Sequence, residues 1–474
     1  MPQSPVAGVP QAPAPGGLGT TAQTLGDEGF RRAYGLSYAY GGGAPCRGIR
    51  TAEWVIGLAQ GGCLAFLDPW QDSGAAPGVA GTPAAGALRA AIETVRRALG
   101  PQASFGVSLY PPPVGPGFED PNGEEQAVAA ALELGVDCAE AVGYHRITPA
   151  LVRFRYQGAH RDADGRPVAR RRLLALVQRP GTAHLFLRPA PDKVLSQLVH
   201  QGQLTAAEAE IARHLPLASD LCAVTGSGDG PDLANLLPSL RRLRDGAMAE
   251  HGYLERIRVG AGGALGTPEA VACAFFLGAD FVHPGSIHLC CRQGGLPEKV
   301  RRHLASLEPG DTVSVPAAAG FSLGARVQVV KKGSFFAPRA QKLYELFRFY
   351  DSLEAIDPLN REKLEQTYFK RSFADIWNSL AAETPRETAQ ADAKTRMALV
   401  FSWYLHQSLR WALEGHDAEK VNFQIPCDEA VAAFNLTTAN TDLAAPQNRT
   451  APAIAHRLLE DAAAFLRQRV EASG

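Results

Sequence analysis

Arg258-Val259-Gly260-Ala261-Gly262-Gly263-Ala264-Leu265-Gly266-Thr267-Pro268-Glu269-Ala270 reads as a short strand, a glycine-rich turn and a capped helix. Thr267 is a natural N-cap and Pro268 suits the first helical position, where a missing N–H costs nothing. Glycines in such a turn let backbone N–H groups approach an anion, and the helix start adds its positive dipole end. The segment is therefore a candidate phosphate cradle, with Gly260, Gly262 and Gly263 as its backbone. It is not a dinucleotide fingerprint, because it lacks the G-x-G-x-x-G spacing and a following acidic residue about twenty positions on. A βα turn that binds nothing has the same spacing.

Outward from this unit, the chain repeats it. Cys63 to Phe66, Phe105 to Leu109, Cys138 to Ala141, Leu173 to Val177, Leu221 to Thr225, Ile257 to Val259 and Phe281 to Val282 are short apolar runs with strand character. Most are followed by segments of helical period, such as Glu124 to Leu134, Leu236 to Ala249 and Thr267 to Leu277. Alternating βα units predict a parallel sheet, and their number over this length fits a (β/α)8 TIM barrel of roughly 250 residues. A doubly wound open sheet is the competing arrangement. Residues 157–172 carry an Asp-Gly turn that predicts a hairpin.

Beyond about Val330 the pattern turns helical, through Pro338 to Tyr350, Asn360 to Leu380, Thr395 to Glu414 and Pro452 to Glu471. The aromatic stretch from Leu343 to Tyr350 reads as core packing rather than an acyl groove. The expected organisation is a disordered leader over 1–25, a barrel over 26–330 and a helical C-terminal domain over 331–474.

Composition narrows the function classes. Forty-seven basic residues face 48 acidic ones, so no global field draws in nucleic acid or an anionic membrane. No apolar run reaches the roughly 18 residues that span a bilayer, and the first residues lack a signal-peptide pattern, so a cytoplasmic location is expected. The 8 cysteines show neither CxxC pairs nor zinc spacing and read as reduced, buried residues. A second glycine cluster, Phe281-Val282-His283-Pro284-Gly285-Ser286, follows the next strand and could close the same anion pocket. Tyr38-Ala39-Tyr40-Gly41-Gly42-Gly43-Ala44 reads either as a flexible loop or as backbone lying close to a flat ring.

A longer ordered series carries a resemblance. Ala33-Tyr34-Gly35 with Tyr38-Ala39-Tyr40, Thr148 to Arg153, Phe186 to Pro191, Gly260 to Ala270, Arg339 to Leu346, Arg396 to Phe401 and Ala445 to Arg449 resemble the PfaD family. These are flavin enzymes related to nitronate monooxygenases, and they serve polyketide and polyunsaturated fatty acid synthases in trans. The resemblance implies a flavin mononucleotide (FMN) barrel that reduces the α,β double bond of an acyl thioester on an acyl carrier protein, with NADPH or NADH as reductant. It places the flavin phosphate on Gly262, Gly263, Gly285 and Ser286.

At the ring end this chain departs from the family pattern. Ser108 stands where the family has an asparagine, Leu176 where it has a lysine, and Thr225-Gly226-Ser227-Gly228-Asp229-Gly230-Pro231 where it has a histidine loop. His283-Pro284 replaces a Val-Thr pair. Asp229 and His283 are the residues left to supply acid or base, with Ser108 as a shortened ring contact. Two outcomes stay open: flavin reduction with substituted residues, or a relative that is redox-neutral or binds without catalysis. Short basic runs at Arg170 to Arg172, Arg241-Arg242 and Lys331-Lys332 could meet an acidic carrier protein. A monomer and a homodimer are both compatible with the sequence.

Overall fold

Apolar strands with helices between them have no edge-free solution except closure, and the chain takes it. The computed structural model describes residues 19–44, 49–69, 85–101, 103–112, 122–226, 231–383, 388–389 and 391–472. Seven parallel strands pair in chain order: Phe66–Leu67, Gly106–Leu109, Cys138–Ala141, Arg172–Val177, Asp220–Thr225, Arg258–Gly263 and Val282–Pro284. Residues 40 and 41 join the two edges. Tyr40 bridges in parallel to Val282 and Gly41 to Leu64. The Gly41 N–H donates to the Val282 carbonyl at 2.8 Å, and the Gly42 N–H to that of Leu64 at 2.9 Å. The result is the expected (β/α)8 barrel.

The closing segment lies in the glycine tract that reads as a loop in sequence, because it lacks the β-branched residues that mark strands. Its glycines have a packing reason. A Cβ on Gly41 would lie 2.5 Å from His283 Nδ1, and one on Gly43 would lie 2.9 Å from His283 Cδ2. The flat ring against which this backbone packs is an imidazole of the chain itself.

Seven wall helices follow their strands: Ala52–Gln60, Ala85–Leu99, Gly123–Glu133, Pro149–Tyr156, Pro180–Leu187, Leu233–His251 and Pro268–Phe276. The eighth comes from the far end of the sequence. Helix Ala451–Glu471 packs against both Pro268–Phe276 and Ala52–Gln60. Its Ile454, Leu458, Leu459 and Leu466 are buried in the barrel core. Residues 291–450 thus lie between the eighth strand and the eighth helix.

That stretch carries helix Glu298–Leu304 and then an antiparallel pair, Thr312–Pro316 with Arg326–Val330, which the sequence reading does not anticipate. Helices Phe336–Phe349, Pro358–Leu364, Phe373–Glu383 and Ala393–Glu414 then gather around Phe321, Leu343, Phe347, Phe401 and Tyr404 in a core of their own. The aromatic stretch is core packing as expected, with Phe349 the one aromatic side chain in it that is largely exposed. The helix expected over Asn360 to Leu380 is interrupted at Lys370, whose φ of 53° makes it the one left-handed non-glycine among the described residues. A further cluster, including Leu289, Val300, Leu413, Phe423 and Val431, seats this insert on the barrel.

The opposite, N-terminal mouth is plugged by helix Glu28–Tyr34. Phe30 stacks on Phe281 with ring centroids 4.2 Å apart, and Tyr34 donates to Asp220 Oδ2 at 2.6 Å. Of the leader expected over 1–25, residues 1–18 lie outside the described residues, whereas Leu25 is buried in the barrel core. The hairpin predicted from Asp-Gly pairs His160–Arg161 with Pro167–Val168. The basic runs are largely committed within the fold: Arg170 pairs with Asp137, Arg172 with Glu255 and Lys332 with Asp311. Arg241 donates to the Leu277 carbonyl. The described cysteines are all free, and only Cys273 is exposed. Among the described residues no helix is long and apolar enough to cross a membrane, and no acid, histidine and cysteine cluster suits a metal ion.

If helix Ala451–Glu471 is a barrel wall, truncating its buried face should cost as much as any core truncation. Leu459→Ala is expected to lower stability by about 2–5 kcal/mol, read as a drop in the urea midpoint. A change of under about 0.5 kcal/mol, the size of a surface effect, would show that the helix lies outside the core.

Candidate ligand site at the barrel mouth

Side chains alternate along each strand, so one set points into the barrel and rises toward the C-terminal mouth. The upper inward layer is charged. Ser108 and Glu140 sit in register on neighbouring strands, and Glu140 is wholly buried. Its carboxylate accepts a hydrogen bond from Arg50 Nη1 and another from Ser108 Oγ, the latter at 2.9 Å. Arg50, itself buried, also donates to the Tyr110 hydroxyl at 3.1 Å. His283 Nε2 lies 3.3 Å from the other carboxylate oxygen, within ion-pair distance but without hydrogen-bond alignment. Burial pushes the Glu140 carboxyl up, yet Arg50 and His283 outweigh it and hold the group at about 2.

Two further titratable groups flank this layer. Burial, reinforced by His283 and Arg50, lowers His288 to about 3, so it is neutral. Its Nε2 is 2.8 Å from the Tyr40 hydroxyl. At the edge of the mouth, Glu124 accepts from Tyr144 at 2.7 Å and from Thr148. Burial pushes Glu124 up to about 7 despite those bonds.

The glycine turn forms as its sequence demands. Thr267 accepts from the Ala270 N–H at 3.1 Å and Pro268 opens the helix. Gly262 pairs with His283 and Gly263 with Pro284, which brings the two glycine clusters together. Gly263 has φ +88° and lies so close to the Thr225 carbonyl that no side chain could replace its hydrogen. Gly260 does not belong to this turn. A Cβ there would meet the Phe281 ring at 2.4 Å, so its smallness serves packing against the barrel floor.

The remaining expected residues divide. Ser108 and His283 meet on Glu140, whereas Asp229 lies outside the described residues. Leu176, at the position of the family lysine, is partly exposed beside Val224 and gives this side of the mouth an apolar lining. Sequence reasoning passes over Arg50, Glu140 and Asp428. Glu140 has a legible signal, a lone acid inside the apolar run Cys138 to Ala141. Asp428 has none, because it reaches the mouth from the insert. Its Oδ1 accepts from the Ser286 hydroxyl and, at 3.0 Å, from the Ala430 N–H.

As they stand, these residues do not fit a phosphate-anchored flavin. The hydroxyl that would meet the phosphate is bonded to a carboxylate. Two like unit charges about 4 Å apart repel by about 4 kcal/mol at an effective dielectric of 20. The N–H groups of Leu265 and Gly285 both donate to the Gly263 carbonyl, at 2.8 and 3.0 Å, and that of Ala264 to Thr225 at 3.3 Å. The ring-side hydroxyl of Ser108 is committed to Glu140.

Comparisons with known proteins set this geometry in context. Residues 350–423 match the inserted helical domain of [acyl-carrier-protein] S-malonyltransferase. The polyketide biosynthesis protein PksE of Bacillus subtilis is 36% identical over 459 residues, covering 96% of this chain and 58% of that protein. A polyunsaturated fatty acid synthase protein from Thraustochytrium is 35% identical over 428 residues, 88% of this chain and 28% of that protein. The chain thus spans between about a quarter and three-fifths of the length of these curated relatives. The crystal structure of the enoyl reductase domain of MlnA, from the macrolactin cluster of Bacillus amyloliquefaciens, superposes with a TM-score of 0.87. It shares 33% identity and covers 95% of this chain and 99% of that domain.

The buried charges generate a pH-dependent prediction. The stability due to a depressed carboxyl is fully present above its unfolded pKa of about 4.3. It is lost as pH falls through the folded value, here about 2. Glu140→Gln leaves the Arg50 charge uncompensated and should cost about 3–5 kcal/mol at pH 7. The gap from wild type, measured by urea unfolding, should narrow as the pH falls from 5 toward 2. A gap that stays constant across this range would show that charge pairing does not hold the layer together.

Proposed function

The chain belongs to the PfaD family of enoyl reductases associated with polyketide and polyunsaturated fatty acid synthases, and from that premise we propose a divergent, flavin-free member. It serves such a synthase in trans and receives the acyl thioester carried on an acyl carrier protein. The observation that carries this reading is the self-satisfied mouth: Asp428 on Ser286 at one end, Glu140 on Ser108 at the other. Loss of the lysine charge at Leu176 points the same way, since a hydride-accepting ring gains from a nearby cation.

What this chain's own residues offer is binding and orientation. Leu176 and Val224 supply apolar surface for an acyl chain. His283, His288 and Glu140 are each no more than 2% exposed, so none reaches a substrate as acid or base without rearrangement. His283 is therefore proposed as a packing residue instead of a catalyst, and Gly262, Gly263, Gly285 and Ser286 as an inherited cradle.

The likeness of residues 350–423 to the inserted helical domain of [acyl-carrier-protein] S-malonyltransferase supports the insert as the part that meets the carrier protein. For the domain division we favour a barrel over 26–290 completed by 451–471, with 291–450 as a helical insert rather than a C-terminal domain.

A second reading, reduction of the α,β double bond through FMN with NADPH or NADH, is favoured by the intact Gly262–Gly263 turn and by full-length likeness to an enoyl reductase domain. One preparation separates the two. The full chain is incubated with FMN, gel-filtered and scanned in the visible, then mixed with enoyl-loaded carrier protein. The expected result is a colourless protein that binds the loaded carrier and leaves nicotinamide unconsumed. Stoichiometric flavin, bleached by NADPH or NADH and reoxidised by the enoyl thioester, would replace this proposal with the reductase.

A further inference from the structure

The cradle built by the glycine turn and Ser286 is filled by an acid from a distant part of the chain. Asp428 lies between the short helical turn Asp417–Asn422 and helix Ala430–Thr438. This stretch is fastened to the insert hairpin: Pro426 bridges to Val329, and the Cys427 N–H donates to the Gln328 carbonyl at 3.0 Å. The carboxylate is therefore held from behind. In front, Oδ1 takes the Ser286 hydroxyl and the Ala430 N–H. Oδ2 lies above Gly226, where an added Cβ would come within 3.0 Å of it. The Ala430 carbonyl approaches Gly266 so closely that a Cβ there would lie 2.1 Å away, which seals the helix end of the turn. The cradle wall itself is unchanged in kind: beside Gly285 an added Cβ would meet nothing nearer than 3.6 Å.

We propose that Asp428 is an internal anion occupying a phosphate-monoester site, and that the insert, by delivering it, keeps that site closed. The carboxylate accepts the Ser286 hydroxyl that a phosphate would accept, and its charge repels a competing anion. Burial raises the Asp428 carboxyl, so acid should weaken the block. The inference rests on the flavin-free reading above and adds the residue responsible for it.

The test uses the full chain as wild type, Asp428→Gly and Asp428→Asn, titrated with FMN, with riboflavin, which lacks the phosphate, and with inorganic phosphate as competitor. Flavin fluorescence is the readout, and thermal melts establish that each variant is folded. Asp428→Gly is expected to bind FMN at least tenfold more tightly than wild type, with inorganic phosphate competing and riboflavin affinity unmoved. Asp428→Asn, which keeps an acceptor for Ser286 and removes the charge, should fall between them. Folded variants with FMN affinities within twofold of a flavin-free wild type would overturn this inference and leave the flavin-free reading standing. Stoichiometric FMN on the wild type would overturn both, and a parallel gain in riboflavin would place the block at the ring and not at the phosphate.

Discussion

The mouth of this barrel is organised by one buried carboxylate. Glu140 is fully buried, so its charge is tolerable only because Arg50 and Ser108 bond to it and His283 stands beside it. Each of those partners is fixed in turn. Arg50 precedes the helix capped by Thr51, Ser108 lies on the neighbouring strand, and His283 packs into the space left by Gly41 and Gly43. Barrel closure and the charged layer are therefore one constraint. Gly41 and Gly43 leave the space that the imidazole enters, and the imidazole enters beside the carboxylate. Such clusters do not stabilise more than a well-packed apolar layer would. Their retention fits a fixed arrangement at the mouth better than it fits a contribution to stability.

The same layer redefines what the departures from the family pattern mean. Taken singly, Ser108 for asparagine looks like a shortened ring contact and His283 for valine like a candidate acid or base. In the structure they are two of the groups that hold Glu140. The substitutions are mutually consistent, which distinguishes a reorganised site from a decayed one. The cradle shows the complementary pattern, in which the turn is kept while the N–H groups of Ala264, Leu265 and Gly285 and the Ser286 hydroxyl bond within the chain.

How much of this was legible in sequence follows the range of the interactions. The βα units, the Thr267 cap and the Asp-Gly hairpin are local, set by period and turn chemistry, and all appear where sequence places them. The closing strand was hidden because packing against His283, some 240 residues away, demands glycine where strand propensity would ask for valine. Asp428 and the assignment of helix Ala451–Glu471 to the barrel wall were out of reach for the same reason. Periodicity says that a helix has an apolar face and is silent on which partner covers it. Glu140 was within reach, since an acid inside an apolar strand signals an internal partner.

Placing the last wall helix after the insert has a consequence for biosynthesis. The ring of helices cannot be completed until residues 451–471 have left the ribosome, at about 5–20 residues per second. Until then the flank between helices Pro268–Phe276 and Ala52–Gln60 is uncovered, and the insert must collapse around its own aromatic core beside an open barrel. Contacts that join the two ends of a chain are also the slowest to find, because loop closure precedes their reward. The nascent chain therefore leaves that apolar flank open until residues 451–471 emerge, and its yield in a cell should depend on chaperone capacity more than its finished stability would suggest.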